Sequence, residues 1–214
     1  MLPVHSSCPS PLIIEVDYSL KLGAFACEPE DFLNSYDGRI IDADTGLLVG
    51  RIRAIVACID EAFNHNMSLI DVLDGSSHTE PYMSLYAVDG GGYTADVQRM
   101  LRDADMRLSF DLLVLDRLEI LPQYRGQRLG LAALDMTIRT LGRHCTLAAL
   151  TALPLQFSCL KDTLHDMDLH RFVADEKTSL RRLQEHYGCL GFRAVPKTDL
   201  MILDIEDGYT PIAA

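Results

Sequence analysis

Apolar positions along this chain fall into two rhythms, and their alternation outlines a fold. Short β-branched runs predict strands. The first is Leu12-Ile13-Ile14-Glu15-Val16, followed by residues 38–43 (GRIIDA) and 47–59 (LLVGRIRAIVACI) on either side of Asp44-Thr45-Gly46. A short polar turn with glycine between two apolar runs predicts a hairpin. Residues 107–121 (RLSFDLLVLDRLEIL) form a long strand pattern closed by Pro122, which cannot donate to a sheet ladder. Residues 130–141 switch to helical spacing, with Ala132, Ala133, Leu134, Ile138 and Leu141 on an apolar face and Gly142 as the stop. Residues 146–153 predict a second buried strand ahead of Pro154. Residues 178–190 predict a helix capped by Gly191, and residues 192–195 and 200–205 two closing strands.

Elsewhere the rhythm is weaker. Residues 28–35 suggest a short helix, as do 61–73, 81–88 and 95–101, with stops at Gly75-Ser76-Ser77 and around Gly90-Gly91-Gly92. Residues 60–106 therefore read as a helical excursion between strands. The order is strands, helices, then strand–helix–strand–helix–strand–strand. That predicts an α/β fold with a mixed, twisted sheet of six or seven strands flanked by helices. One domain over residues 1–214 is expected from the length, with the Ser- and Pro-rich residues 1–10 as a loose lead-in.

Composition narrows the function classes. Hydrophobic residues make up 48 % of the chain, which fits a globular protein. Lys plus Arg number 19 and Asp plus Glu 31, a net charge of −12. That balance argues against nucleic acid as a partner, since phosphates would be repelled. No run approaches the ~18 apolar residues of a membrane span, and no leader pattern opens the chain, so a cytoplasmic protein without membrane contact is expected. The six cysteines are scattered without a C-x-x-C pair, which fits a reducing compartment and suggests no zinc site. His165, Asp166, Asp168 and His170 do not have a standard metal-ligand spacing and read as a solvated loop. No metal is expected.

The most informative stretch joins the long strand to the first long helix: Ile120-Leu121-Pro122-Gln123-Tyr124-Arg125-Gly126-Gln127-Arg128-Leu129-Gly130-Leu131. A strand-to-helix turn gathers backbone N–H groups at the positive end of the helix dipole, a site for phosphate or pyrophosphate. Gly126 and Gly130 leave room for close approach, and Arg125 and Arg128 add positive charge. No G-K-[ST] follows, which excludes a P-loop of the nucleotide triphosphatase type. The stretch resembles the acetyl-CoA-binding motif of the GNAT acetyltransferase superfamily, R-G-x-G-x-G or R-G-x-G-x-A after a strand ending in V-x-P. It stands here as Arg125-Gly126-Gln127-Arg128-Leu129-Gly130, with Ile120-Leu121-Pro122 ahead. Arg128 takes the place of the usual middle glycine, which requires a negative φ at that residue.

Tyr187-Gly188-Cys189-Leu190-Gly191-Phe192 resembles the superfamily's closing Y-x-x-L-G-F element. The resemblance covers residues 107–205 well and 11–58 weakly, and does not extend to 60–106. It implies a single GNAT-like domain whose central strands, ending near Leu121 and Leu153, splay apart to admit the pantetheine arm of coenzyme A. It implies that main-chain groups of Leu118, Glu119 and Ile120 hold that arm and that N–H groups of Gly126, Gln127, Arg128, Leu129, Gly130 and Leu131 hold the pyrophosphate. It implies that Tyr187 protonates the departing thiolate, and that an amine acceptor attacks acetyl-CoA directly. Homodimers are common in the superfamily. A CoA-binding module without catalysis, or a transferase of longer acyl chains, are the alternatives. Attack needs a neutral amine, so a base must take its proton. Asp116 and Glu119 lie nearby on the central strand. Strand alternation places them on opposite faces, with Asp116 the preferred base and a water chain the competitor. His186 reads as a surface residue, and no His–Asp pair supports Cys189 as a nucleophile.

Overall fold

Runs of apolar β-branched residues pair edge to edge, burying one face of a single sheet and one end of the other. A computed structural model of the chain describes residues 12–20, 28–87, 92–101, 109–157, 167–169, 174–205 and 209. Among these, seven strands form a single mixed sheet in the order β1-β2-β3-β4-β5-β7-β6. They are β1 (Ile14–Leu20), β2 (Leu33–Asp42), β3 (Leu48–Ala57), β4 (Leu112–Ile120), β5 (Leu147–Thr151), β6 (Arg193–Ala194) and β7 (Leu200–Asp204). All neighbours are antiparallel except β4 and β5. A parallel pair needs a crossover, and helix α4 (Leu129–Leu141) supplies it.

The turn between β2 and β3 is fixed by Asp42. Its carboxylate accepts from the Thr45 hydroxyl at 2.6 Å and the Asp44 N–H at 3.0 Å. Those bonds, Thr45's foremost, hold the Asp42 carboxyl below its ordinary range. On one face of the sheet, Leu131, Leu134 and Ile138 of α4 pack on Ile52, Leu113, Leu115 and Leu203. The other face is covered at one end by α1 (Ile59–Asn64), α2 (Leu69–Asp74), a 3-10 helix at Glu80–Leu85 and α3 (Ala95–Gln98). There Leu69, Leu73, Leu85 and Val97 close over Ile55, Leu112, Val114 and Leu147. Helix α5 (Glu176–Gly188) precedes β6.

Two expectations of local structure change. Residues 28–35 are not a helix: a 3-10 turn at Pro29–Phe32 ends where Leu33 pairs with Ala57, so sheet pairing overrides helix propensity. Residues 61–73 do not form one helix either. Asn66 takes a left-handed φ of 60° and breaks the run. Ser68 then recaps α2 by accepting from the Asp71 N–H at 3.1 Å.

Two irregularities of β4 position the site. In the ladder with β3, Arg53 opposes Arg117 and Ala54 opposes Leu115, which leaves Asp116 as the extra residue of a β-bulge. In the ladder with β5, pairing stops at Val114 opposite Ala149, although β4 runs on to Ile120. The central strands therefore splay, and a gap opens between the end of β4 and the segment after β5.

Candidate functional site

The gap leads into a cleft of about 580 Å³, within the usual range for a small-molecule or cofactor site. Leu118 and Ile120 form its β4 wall, Leu153, Pro154 and Gln156 the wall beyond β5, and Leu183, His186 and Tyr187 of α5 its roof. Leu118 and Ile120 thus face the gap, and Glu119 does not. Its carbonyl oxygen points at Gly50 of β3, where an added Cβ would lie only 2.1 Å away. An edge offering alternate main-chain groups along an apolar wall can hold an extended chain as an added strand.

At the end of β4, Pro122–Tyr124 make one 3-10 turn and the chain enters α4. Gly126 has φ 78° and Arg128, the residue before the first turn of α4, has φ 60°. The expectation of a negative φ at Arg128 is therefore corrected. The turn itself demands the left-handed region, and Arg128 adopts it despite its Cβ. The first helical bond of α4 runs from the Ala132 N–H to the Arg128 carbonyl, at 3.1 Å. Among the described residues, the N–H groups from Gly126 to Leu131 have no acceptor. These donors stand at the positive end of a 13-residue helix, an arrangement that attracts phosphate oxygens.

Positive side chains surround this turn. The Arg125 guanidinium folds back, donating to the Ile120 carbonyl at 2.9 Å and the Met167 carbonyl at 2.6 Å. Its first role is thus to lock the turn against β4 and residue 167. Burial lowers its pKa, and nearby Asp168 opposes that effect. Arg182 also lines the cleft. His186 lines it too rather than standing on the open surface; burial and then Arg128 lower its pKa, so the neutral imidazole is favoured.

Tyr187 reaches the cleft from the last turn of α5, held by packing on Leu190 and Phe192 in the core and by an edge contact with Phe192 at 6.4 Å between ring centroids. Its hydroxyl has no hydrogen-bond partner among the described residues. Burial pushes its pKa up to about 12, so the phenol keeps its proton.

The second half of the site lies on the opposite face of β4. The bulge overturns the expectation that Asp116 and Glu119 face opposite ways. Asp116 lies 3.9 Å from Arg53 and Glu119 pairs with Arg51, and both arginines project from the same face of β3. Glu119 is fully enclosed, with Arg117 a further 3.9 Å partner. Asp116 is more open and sits 2.9 Å from Nδ1 of His78, a residue of the segment between α2 and the 3-10 helix. Nearby, the Tyr82 hydroxyl lies 3.4 Å from Thr151 Oγ1 at the end of β5. Burial first, and Asp116 and Tyr187 further, push Tyr82 up to about 12. Tyr82 thus lies within electrostatic reach of both Asp116 and Tyr187.

Sequence reasoning missed His78, Tyr82 and Thr151. The first two sit in a stretch without a motif, and only the fold brings them to β4. Of the four residues read as a polar loop, His165, Asp166 and His170 lie outside the described residues. No His, Cys, Asp and Glu grouping suited to a metal exists among those described. Cys189 is exposed and its thiol approaches the Glu185 carbonyl at 3.5 Å. No described helix is long and apolar enough to cross a membrane. No protein-family model and no curated protein sequence matches the chain.

Proposed function

We propose that this chain transfers an acyl group, most simply acetyl, from coenzyme A to an amine. The observation that carries this reading is the run of N–H groups from Gly126 to Leu131, without acceptors among the described residues, at the mouth of an apolar gap between diverging parallel strands. A diphosphate would occupy the turn, and the pantetheine arm would lie along Leu118 and Ile120. The resemblance of residues 107–205 to the GNAT superfamily supports the same ligand.

The two faces of the gap suggest a division of labour. The acyl thioester enters from the α5 side and the acceptor from the Asp116 side. The amine nitrogen attacks the thioester carbonyl, the C–N bond forms, and the C–S bond breaks. Tyr187, kept protonated by burial, donates to the departing sulfur. The amine proton passes to the His78–Asp116 pair, directly or through water. Asp116 orients the imidazole through its 2.9 Å contact with Nδ1.

The test is release of CoA thiol from acetyl-CoA across a panel of amines. Turnover on at least one amine is expected. Tyr187→Phe should lower kcat by roughly a hundredfold, within the range for a lost general acid, with CoA affinity nearly unchanged. His78→Ala should lower kcat by a similar factor. Binding of CoA without turnover of any amine would favour a cofactor-binding module, and unchanged turnover in Tyr187→Phe would remove its acid role.

A further inference from the structure

Beyond Asp116, the same face of the sheet carries a grid of arginines that the acyl-transfer chemistry leaves unused. The strand registers align it in two rows. In one, Asp17 of β1 opposes Arg39 of β2, Arg39 opposes Arg51 of β3, and Arg51 opposes Glu119 of β4. In the other, Ser19 opposes Asp37, Asp37 opposes Arg53, and Arg53 opposes Arg117. Arg39, Arg51, Arg53 and Arg117 all line one cleft of about 400 Å³.

Two features of this grid point to a ligand. First, Arg39–Arg51 and Arg53–Arg117 are like charges set directly across neighbouring strands, an arrangement that destabilises a sheet. Second, the acidic side chains only partly offset it. Asp37 holds Arg53 at 2.8 Å, and Glu119 is shared between Arg51 and Arg117. Arg39 is exposed and makes no ion pair or hydrogen bond among the described residues. Four carboxylates, those of Asp17, Asp37, Asp116 and Glu119, stand around the four guanidinium groups, yet none of them is bonded to Arg39, whose fork is left open at the cleft. Arginine forks match carboxylate and phosphate oxygens bidentately. The cleft also adjoins the chemistry, since Arg53 bridges Asp37 and Asp116.

We propose that this arginine cleft binds an oxyanion of the acyl acceptor, a carboxylate or phosphate, so that the protein selects small amines that also carry negative charge. The inference rests on the acyl-transfer reading. The grid holds the anion while the amine of the same molecule reaches past Asp116 to the thioester.

The experiment has two arms on the full chain. In the first, acetyl-CoA turnover is compared for glutamate, phosphoethanolamine, the diamide of glutamate, which has no carboxylate, and spermidine. The anionic amines should show kcat/KM at least tenfold above the others, with glutamate against phosphoethanolamine telling carboxylate from phosphate. Arg39→Ala should raise KM for the preferred anion severalfold without weakening CoA binding, and Arg39→Glu should erase or invert the preference. A merely structural role would not reorder acceptors. In the second arm, succinate and inorganic phosphate, which carry no amine, are titrated calorimetrically into the CoA-free protein. Binding that is lost in Arg39→Ala supports the cleft even if no amine is acylated, so the two readings fail separately. Preference for spermidine, or no binding of either anion, would overturn the proposal.

Discussion

Arg128 illustrates how much one backbone angle carries. Its left-handed φ of 60° costs a residue with a Cβ roughly 1–2 kcal/mol relative to glycine. Arg128→Gly should therefore stabilise the fold, by roughly 0.5–1 kcal/mol once glycine's greater unfolded freedom is subtracted, as read from denaturant midpoints. The sequence identified the position as unusual but assigned the opposite sign of φ, because a side chain's preference says less than the turn that contains it. Tyr187 was legible from its motif, whereas His78 was not, since it meets Asp116 across 38 residues of chain. The phenols carry a pH prediction. Burial raises Tyr82 and Tyr187 from about 10 to about 12, so the folded state holds those protons longer than the unfolded one. Their contribution is complete below pH 10 and is lost as pH rises from about 10 to about 12. The melting temperature should fall over that interval, and less steeply in Tyr187→Phe. Below pH 10 Tyr187 should impose no alkaline limb on the rate.

Strands and helices were more readable than their relations. The hairpin around Asp44-Thr45-Gly46, the strand before Pro122 and the helix after Gly126 all stand where apolar spacing placed them, within a few residues. The β-bulge at Asp116 was invisible, because a bulge is a mismatch between two strands and leaves no mark in either one. Its consequence is large: it turns Asp116 toward the arginines of β3 and His78. The same ladder makes Gly50 indispensable. A Cβ there would lie 2.1 Å from the Glu119 carbonyl oxygen, and backbone cannot swing aside as a side chain can. Gly50→Ala should destabilise by at least about 1–3 kcal/mol and weaken CoA binding by displacing the end of β4, both measurable in one thermal-shift series with and without CoA.

At the scale of the molecule, the sheet works as a partition. One face carries α4, α5 and the cleft, and the other carries the covering helices at one end and the arginine grid at the other. The sequence anticipated a mixed sheet of six or seven strands, and seven are present among the described residues. It could not anticipate the grid, since each arginine lies in an ordinary alternating strand and only cross-strand register makes them neighbours. Packing also divides the thiols. Burial, chiefly, pushes Cys58 up to about 11 and Cys145 up to about 12, whereas Cys189 is exposed. Iodoacetamide at pH 8 should accordingly alkylate Cys189 well before either of the other two, as peptide mapping would show.

Hydrogen exchange followed peptide by peptide, with and without saturating CoA, addresses the central claim most directly. The account predicts slowed exchange at the amides from Gly126 to Leu131, with further protection at Leu118 and Ile120. Association of CoA that leaves those amides exchanging at their ligand-free rate, or no association at all, would contradict it.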